Sequence, residues 1–530
     1  MRRQRLKRTR ASKKVSSSPS FDSGLMAEPL LAFGGGHEHV DPRTGLALYG
    51  PYTMTGQTEP VLSSIRVGLV GPAAMVADTE QWLVGCRSPV LNDGSNPFEH
   101  PPFPGFNAEH PFKCELLLGS TWQETLRDRD LRDALSPANY FECIKRVIEA
   151  YAKGIATLTG RDPHPDVVLC CIPQEVIGQC TTRTTRTGVE KRVKLGTAER
   201  SALRVARTGQ TFLFREQDPT LGLDEEPGSH QNLRRGLKAE AMRYRMPTQL
   251  VWPRTIVRSA GQSDSESTAE DPATRAWNFT AALYHKAGGS PWRLSDVEPG
   301  TCHVGISFYR ELSSPVAELR TSMAQAFTAA GDGYVLRGDS FEWNESARRQ
   351  SPHMDAKTAA ALMTSVLDLY KRQNRGSLPS RLVVHKSSRY WDEEFAGLME
   401  ASSMVPRKDF ISIGGPRIQF YRPGMYPALR GTYVKLSADD LLLYTVGYVP
   451  FLRTYPGSRV PQPIEVQVHH ADSPWTVVLQ DALALTKMNW NTTYFACSRP
   501  VTLAFSQRVG QILAELPPDL EPMSEYRFYM

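Results

Sequence analysis

The chain has 530 residues, 40% of them hydrophobic and 22% charged, with 39 Gly and 39 Pro. This is ordinary globular usage, so collagenous, low-complexity and wholly disordered readings fail, and the length suits two or three domains of about 100–200 residues each. The net charge of +6 is concentrated at one end: residues 1–14 carry eight Lys/Arg and no acid, leaving −2 for the rest.

Residues 1–27 are read as a basic, disordered tail, since a charge run of this kind is usually solvated even where it can neutralise phosphates. Translation from Met26, which opens the well-patterned MAEPLLAFGGG, is an alternative. No apolar run follows the basic arm, so it is not a secretory signal. The run LLLYTVGYVPFL at 441–452 is broken by Gly447 and Pro450 and too short for a bilayer of about 30 Å. A soluble, cytoplasmic protein without membrane contact is expected.

In chain order, 65–71 (IRVGLVG) reads as a buried strand, and apolar residues at helical spacing from Tyr140 to Leu158 predict a helix. PDVVLCCIP (165–173) then reads as another buried strand. Strand, helix, strand with continuous apolar strands predicts a parallel sheet covered on both faces, hence a doubly wound α/β front half. The polar stretch 181–230 contains the basic run TTRTTRTGVEKRVK, and a helix is predicted over 231–245, ending before Pro247. SAGQSDSESTAEDPATR (259–275) has no apolar pattern and reads as an exposed insertion. The back half predicts a strand over 302–309, a helix over 315–330 and a strand over 333–337. A helix over 355–373, a strand over 381–385 and a helix over 391–401 follow. Further strands run to 448, and a helix lies in PVTLAFSQRVGQILAEL near the end.

The eight cysteines are scattered without a CxxC pair and suit neither a disulfide framework nor a zinc site; Cys170 and Cys171 read as small core residues. No phosphate-loop or GxGxxG pattern occurs. His37 and His39 in GGGHEH read as incidental to a glycine loop, and Trp292 and Trp490 as core residues rather than stacking platforms. The stretch RRGLKAEAMRYRMPTQLVWPR (234–254) is more informative. On a helix Arg234 and Lys238 share a face, and Gln249 lies just past the Pro247 turn. With Lys286 of YHKAGG these groups suit a terminal phosphate, which carries about −1.5 to −2 charge, although a basic helix face is more commonly only solvated.

Lys238, Gln249 and KAGG, with the blocks HVGISF, RLVVHKSS, LYTVGYVP, TYPG and LTKMNWN, resemble the MID and PIWI domains of a short prokaryotic Argonaute over about residues 28–530. The resemblance implies an α/β architecture: a Rossmann-like MID domain at 28–290, carrying the 259–275 insertion, and a ribonuclease-H-like PIWI domain at 291–530. It implies that Arg234, Lys238, Gln249 and Lys286 grip the 5′ phosphate of a short guide, with RNA the expected guide. Arg234 departs from the aromatic or histidine common in better-known members. In some relatives a magnesium ion bridges the phosphate and the terminal carboxylate, which here is that of Met530, with Gln249 beside it.

Ribonuclease-H chemistry needs convergent carboxylates around two magnesium ions. Where V-G-I-D and R-D-G are expected, this sequence has Val304-Gly305-Ile306-Ser307 and Lys386-Ser387-Ser388, and the last position falls near Gln507. Neutral hydroxyls and an amide do not offset two divalent ions, so no guided cleavage is expected; a site rewired from Glu311, Asp339 and Asp392 is the alternative. The expected partners are single-stranded target DNA and an APAZ-containing protein with a TIR, sirtuin-like or nuclease effector, acting in defence against invading DNA. The rivals are an active guided nuclease and an unrelated metabolic α/β enzyme.

Overall fold

The computed structural model describes residues 21–530 except 53–61, 94–95, 110, 138–139, 181–182, 185–189, 192–231, 257–269, 311–317, 328–332, 337–339, 343–352, 416–417, 419, 421–423, 425, 458 and 518. The basic arm, most of the 181–230 stretch, Glu311 and Asp339 lie outside the described residues. The described chain begins with β1 (Asp22–Leu25), which pairs antiparallel with a strand of the back half, Asp22 opposite Lys435. The expected tail is corrected here: DSGL carries too few apolar residues to show a strand pattern, and its backbone hydrogen bonds to a sheet edge order it.

The front half is a parallel sheet. Its strands are β2 (Ser64–Pro72), β3 (Glu115–Leu117), β4 (Gln123–Leu126), β5 (Val167–Cys171) and β6 (Thr248–Val251), ordered β6–β5–β2–β3 with β4 also paired to β2. All five residues of β5 are buried, as expected of a strand covered on both faces. The covering helices include α1 (Ala73–Gly85), α2 (Tyr140–Thr159), α3 (Gln174–Cys180) and α4 (Leu233–Ala241). Helix α2 buries Ile144, Val147, Ile148, Tyr151, Ile155 and Leu158 against the sheet, which is the stripe its spacing predicts.

Helix α5 (Pro272–Lys286) begins inside the expected insertion, so 259–275 is corrected at its end. Residues 257–269 lie outside the described set. Asp271 accepts a hydrogen bond from the Thr274 amide at 2.8 Å and Pro272 occupies the first turn, a capping signal hidden in a polar run.

The back half is built on a ten-stranded sheet. Its strands include β7 (Thr301–Arg310), β8 (Glu318–Phe327), β9 (Gly333–Val335), β10 (Arg381–Lys386), β11 (Arg407–Gly414), β12 (Thr432–Lys435), β13 (Asp440–Leu443) and β14 (Ile464–Ala471). The order is β1–β12–β13–β14–β11–β10–β7–β8–β9, with Ser340–Glu342 paired to β8. Strands β7, β10 and β11 are mutually parallel, and β7–β8–β9 is an antiparallel meander. Within the helix expected over 315–330, Glu318–Phe327 is therefore a strand, and the remaining residues lie outside the described set. The spacing of Val316, Leu319, Met323 and Phe327 fits a helix, but pairing along the whole length of β7 overrides that local pattern.

Helices α6 (Ala356–Gln373), α7 (Asp392–Ala401), α8 (Trp475–Ala484) and α9 (Val501–Leu513) pack on this sheet. A Cβ on Gly305 of β7 would meet the Thr502 carbonyl oxygen at 2.0 Å, so glycine lets α9 lie directly on the strand. One hydrophobic cluster joins the two halves, containing Trp277, Tyr284 and Trp292 together with Trp490, Phe505 and Met530. Trp292 Nε1 donates to the Lys487 carbonyl at 3.0 Å and Trp490 Nε1 to the Trp292 carbonyl at 3.1 Å, so both tryptophans are core residues. Among the described residues, no helix is long and apolar enough to cross a membrane.

Candidate nucleic-acid anchoring site

Helix α4 starts at Asn232, whose side chain accepts from the Arg235 amide at 3.2 Å. The Asn232 amide donates to Glu515, just beyond α9, at 3.4 Å, and Arg243 pairs with Asp519 at 2.8 Å. The front-half helix is thus clasped by the end of the chain. Between them lies a cavity of about 1380 Å³, lined from α4, from the end of β6 and from α9 and the C-terminus.

Arg234, Lys238, Gln249 and Met530 all line this cavity. Lys286 stands immediately behind it and donates from Nζ to Gln249 Oε1 at 2.6 Å. The separation of four residues on α4 and the turn into β6 bring these groups together. Lys238 is 2% exposed and Lys286 0%, and Lys238 Nζ donates to the Thr248 carbonyl at 2.9 Å. Burial, and then the charges of Lys286 and Arg234, push the Lys238 ammonium well below its usual pKa. Burial, with Arg234 adding to it, lowers Lys286 to about 7. Among the described residues neither lysine has a carboxylate at ion-pair distance.

The described lining carries six cationic side chains and no aspartate or glutamate. Beyond Arg234 and Lys238 these include Arg254, Arg499 and Arg508. Sequence reasoning did not single out the last three. Arg254 closes the stretch quoted above, while Arg499 and Arg508 come from a region more than 240 residues later in the chain that only tertiary folding brings across.

The second candidate region lies where β7 and β10 run side by side, Ile306 opposite Lys386. Ser307 is 8% exposed on β7 and Ser387 is exposed just past β10. Gln507 is on α9, and its side chain is outside the described set. Asp392 opens α7. Lys386 is buried here, its Nζ 2.5 Å from Glu394 Oε2 and 3.2 Å from the Arg389 carbonyl, with both ionic side chains at 0% exposure. Burial lowers its pKa while Glu394 opposes the shift. The ammonium also lies 5.2 Å from the Phe308 ring centroid and 5.4 Å from that of Tyr390.

His37 stacks on Tyr49 and His39 Nδ1 takes the Asp41 amide at 2.9 Å, which gives both histidines local structural roles. Among the described residues no group of three or more His, Cys, Asp or Glu side chains is placed to hold a metal ion.

No family model matches the chain, and no curated protein matches it. Its structure is similar to that of Clostridium butyricum Argonaute bound to a guide DNA and a 19-mer target DNA, with TM-score 0.58 and 13% identity over 94% of this chain and 54% of that one. It is similar to A. aeolicus Argonaute, with TM-score 0.53 and 15% identity over 96% and 55% of the two chains. The structure of Aa-Ago with externally bound siRNA matches with TM-score 0.51 and 15% identity over 96% and 56%. The chain spans a little over half the length of these proteins. The likeness shows an Argonaute-like fold, a Rossmann-like MID unit followed by a ribonuclease-H-like PIWI unit.

Proposed function

We propose that this chain binds the 5′-phosphorylated end of a short guide strand and presents the guide for pairing with single-stranded target DNA, without cutting the target itself. The observation that carries the reading is a cationic cavity whose described lining holds no aspartate or glutamate, backed by two buried lysines, a surplus of positive charge that a terminal phosphate dianion would neutralise. Lys238 and Lys286 would meet its oxygens from the buried side and Arg234 from the open side. The known complexes of Argonautes with guide and target, or with siRNA, agree with this use of the fold. The guide would be RNA, and sequence would be read by base pairing while the protein holds backbone.

Magnesium at the phosphate is a poor fit. Gln249 Oε1 is already engaged by the Lys286 ammonium, and the described lining supplies no aspartate or glutamate to hold a hard cation. The protein's own cations would take the role a metal would have.

The absence of cleavage is supported by the side chains at the PIWI positions. Ser307 and Ser387 offer hydroxyls, and Lys386 brings a cation already neutralised by Glu394. Output would come from an APAZ-containing partner with a TIR, sirtuin-like or nuclease effector, released on target pairing in prokaryotic defence, as the sequence resemblance implies.

The test compares equilibrium binding of 5′-phosphorylated and 5′-hydroxyl guides to the full chain, followed by incubation with a paired target in magnesium or manganese. Preferential binding of the phosphorylated guide and an intact target are expected. Equal binding of the two guides would sink the anchor, and a specific cut opposite the guide would sink the inactive reading.

A further inference from the structure

One wall of the cavity is α3, a helix of seven residues that contributes Gln174, Ile177 and Cys180 to the lining. Behind α3 stands α2, a twenty-residue helix held in the front-half core. The two helices meet at a pair of thiols. Cys143, in the first turn of α2, and Cys180, the last residue of α3, have their Sγ atoms 3.3 Å apart. Both are free thiols, 3% and 0% exposed, and Cys180 borders the cavity.

Cys143 differs from the other buried cysteines, including Cys180, whose thiol the hydrogen bond with Cys143 and burial push up. Cys86, Cys114, Cys171 and Cys302 are pushed up to about 12 by burial, which makes them inert as nucleophiles. The thiol of Cys143 shifts the other way, because Cys180 hydrogen-bonds to it and stabilises its thiolate. A thiolate beside a resolving thiol is the arrangement that oxidants address selectively.

We propose that Cys143 and Cys180 form an oxidation site for hydroperoxides, whose disulfide draws α3 away from the cavity and loosens its hold on the guide. One thiolate attacks the terminal peroxide oxygen, forming an S–O bond and breaking the O–O bond, and the hydroxide released from hydrogen peroxide, or alkoxide from an alkyl hydroperoxide, is protonated to water or alcohol. The second thiol then displaces the sulfenic oxygen as water, forming the S–S bond. Two thiols are oxidised and one hydroperoxide is reduced.

A disulfide brings the sulfurs to about 2.05 Å, so they must close by about 1.3 Å. The short α3 moves rather than the long, core-packed α2, and the side chains of Gln174 and Ile177 move with it. The effect on guide retention rests on the guide-binding reading, whereas the disulfide does not.

The full chain is therefore treated with hydrogen peroxide, its remaining thiols are alkylated, and its peptides are mapped by mass spectrometry beside a measurement of guide dissociation. A Cys143–Cys180 cross-linked peptide is expected, absent from Cys143→Ser and Cys180→Ser. Dissociation of a 5′-phosphorylated guide is expected to quicken on the order of threefold or more in the oxidised protein and to return to its starting rate with dithiothreitol. Cys143→Ser, whose residue lies outside the cavity lining, should release guide at the reduced protein's rate with or without peroxide. Absence of the cross-link overturns the proposal, as does a cross-link that leaves dissociation unchanged or slower. Were the reduced protein unable to prefer a phosphorylated guide, the guide reading would fail while the peptide map still reported on the thiol pair.

Discussion

Lys286 and Lys386 are both 0% exposed, one in each half of the molecule, and they are buried on opposite terms. Lys386 has its carboxylate, Glu394, at 2.5 Å, together with a carbonyl and two aromatic rings. Lys286 has an amide oxygen at 2.6 Å and, among the described residues, no acid. A buried cation with a partner belongs to the fold. A buried cation beside a cavity and without a counter-ion carries a desolvation cost that a ligand anion can offset. The contrast separates a structural ion pair from a binding site more clearly than exposure or charge alone.

The largest effect that can break this comparison is removal of the acid from the paired site. Glu394→Gln leaves Lys386 charged and unpaired, and is expected to cost about 3–5 kcal/mol in denaturant unfolding. Guide affinity per folded molecule should not change. At the anchoring site, Lys238→Glu puts a negative charge in the cavity and removes a charge-assisted bond. It should cost about 1.5–3 kcal/mol, roughly 10–100-fold, for a phosphorylated guide and nothing for a hydroxyl guide, read by titration of labelled guides.

Proton linkage gives the next effect. Unliganded Lys286 titrates at about 7, against 10.5 when unperturbed. Between those values the unfolded chain binds more protons, so the guide-free protein should gain stability from this group as pH rises through that window. A bound phosphate holds the ammonium charged, so binding takes up a proton above pH ~7. Affinity should then fall with rising pH by up to about tenfold per unit, and Lys286→Met should flatten that slope. The smallest effect is the sharpest in sign. Lys286→Met should raise the stability of the guide-free protein by roughly 1 kcal/mol while weakening guide binding. Lys386→Met should lower stability by leaving Glu394 unpaired.

Much of the front half was legible because buried parallel strands and amphipathic helices write their periods into consecutive residues, as in VVLCC and in the stripe from Ile144 to Leu158. The misread elements were those whose order comes from distant partners. DSGL is a strand only because β12 lies beside it, and Glu318–Phe327 is a strand because β7 pairs with it against a helix-like spacing. The start of α5 was obscured by the acidic run before Asp271.

The candidate site divides in the same way. Arg234, Lys238 and Gln249 share a short local stretch, so helical spacing and a single turn suffice to converge them. The pairing of Lys386 with Glu394 spans a strand end and a helix first turn, and needed the packing of α7 to appear.

By itself the sequence determined the parallel front sheet, the cationic face of α4 and the hydroxyls at 307 and 387, because each depends on residue type and near-neighbour spacing. Tertiary structure alone decided that Arg499 and Arg508 join that face, that Lys286 lies buried without an acid among the described residues, and that Cys143 meets Cys180. Those facts depend on which distant segments pack together, and the electrostatic cost of burial exists only once they have excluded water.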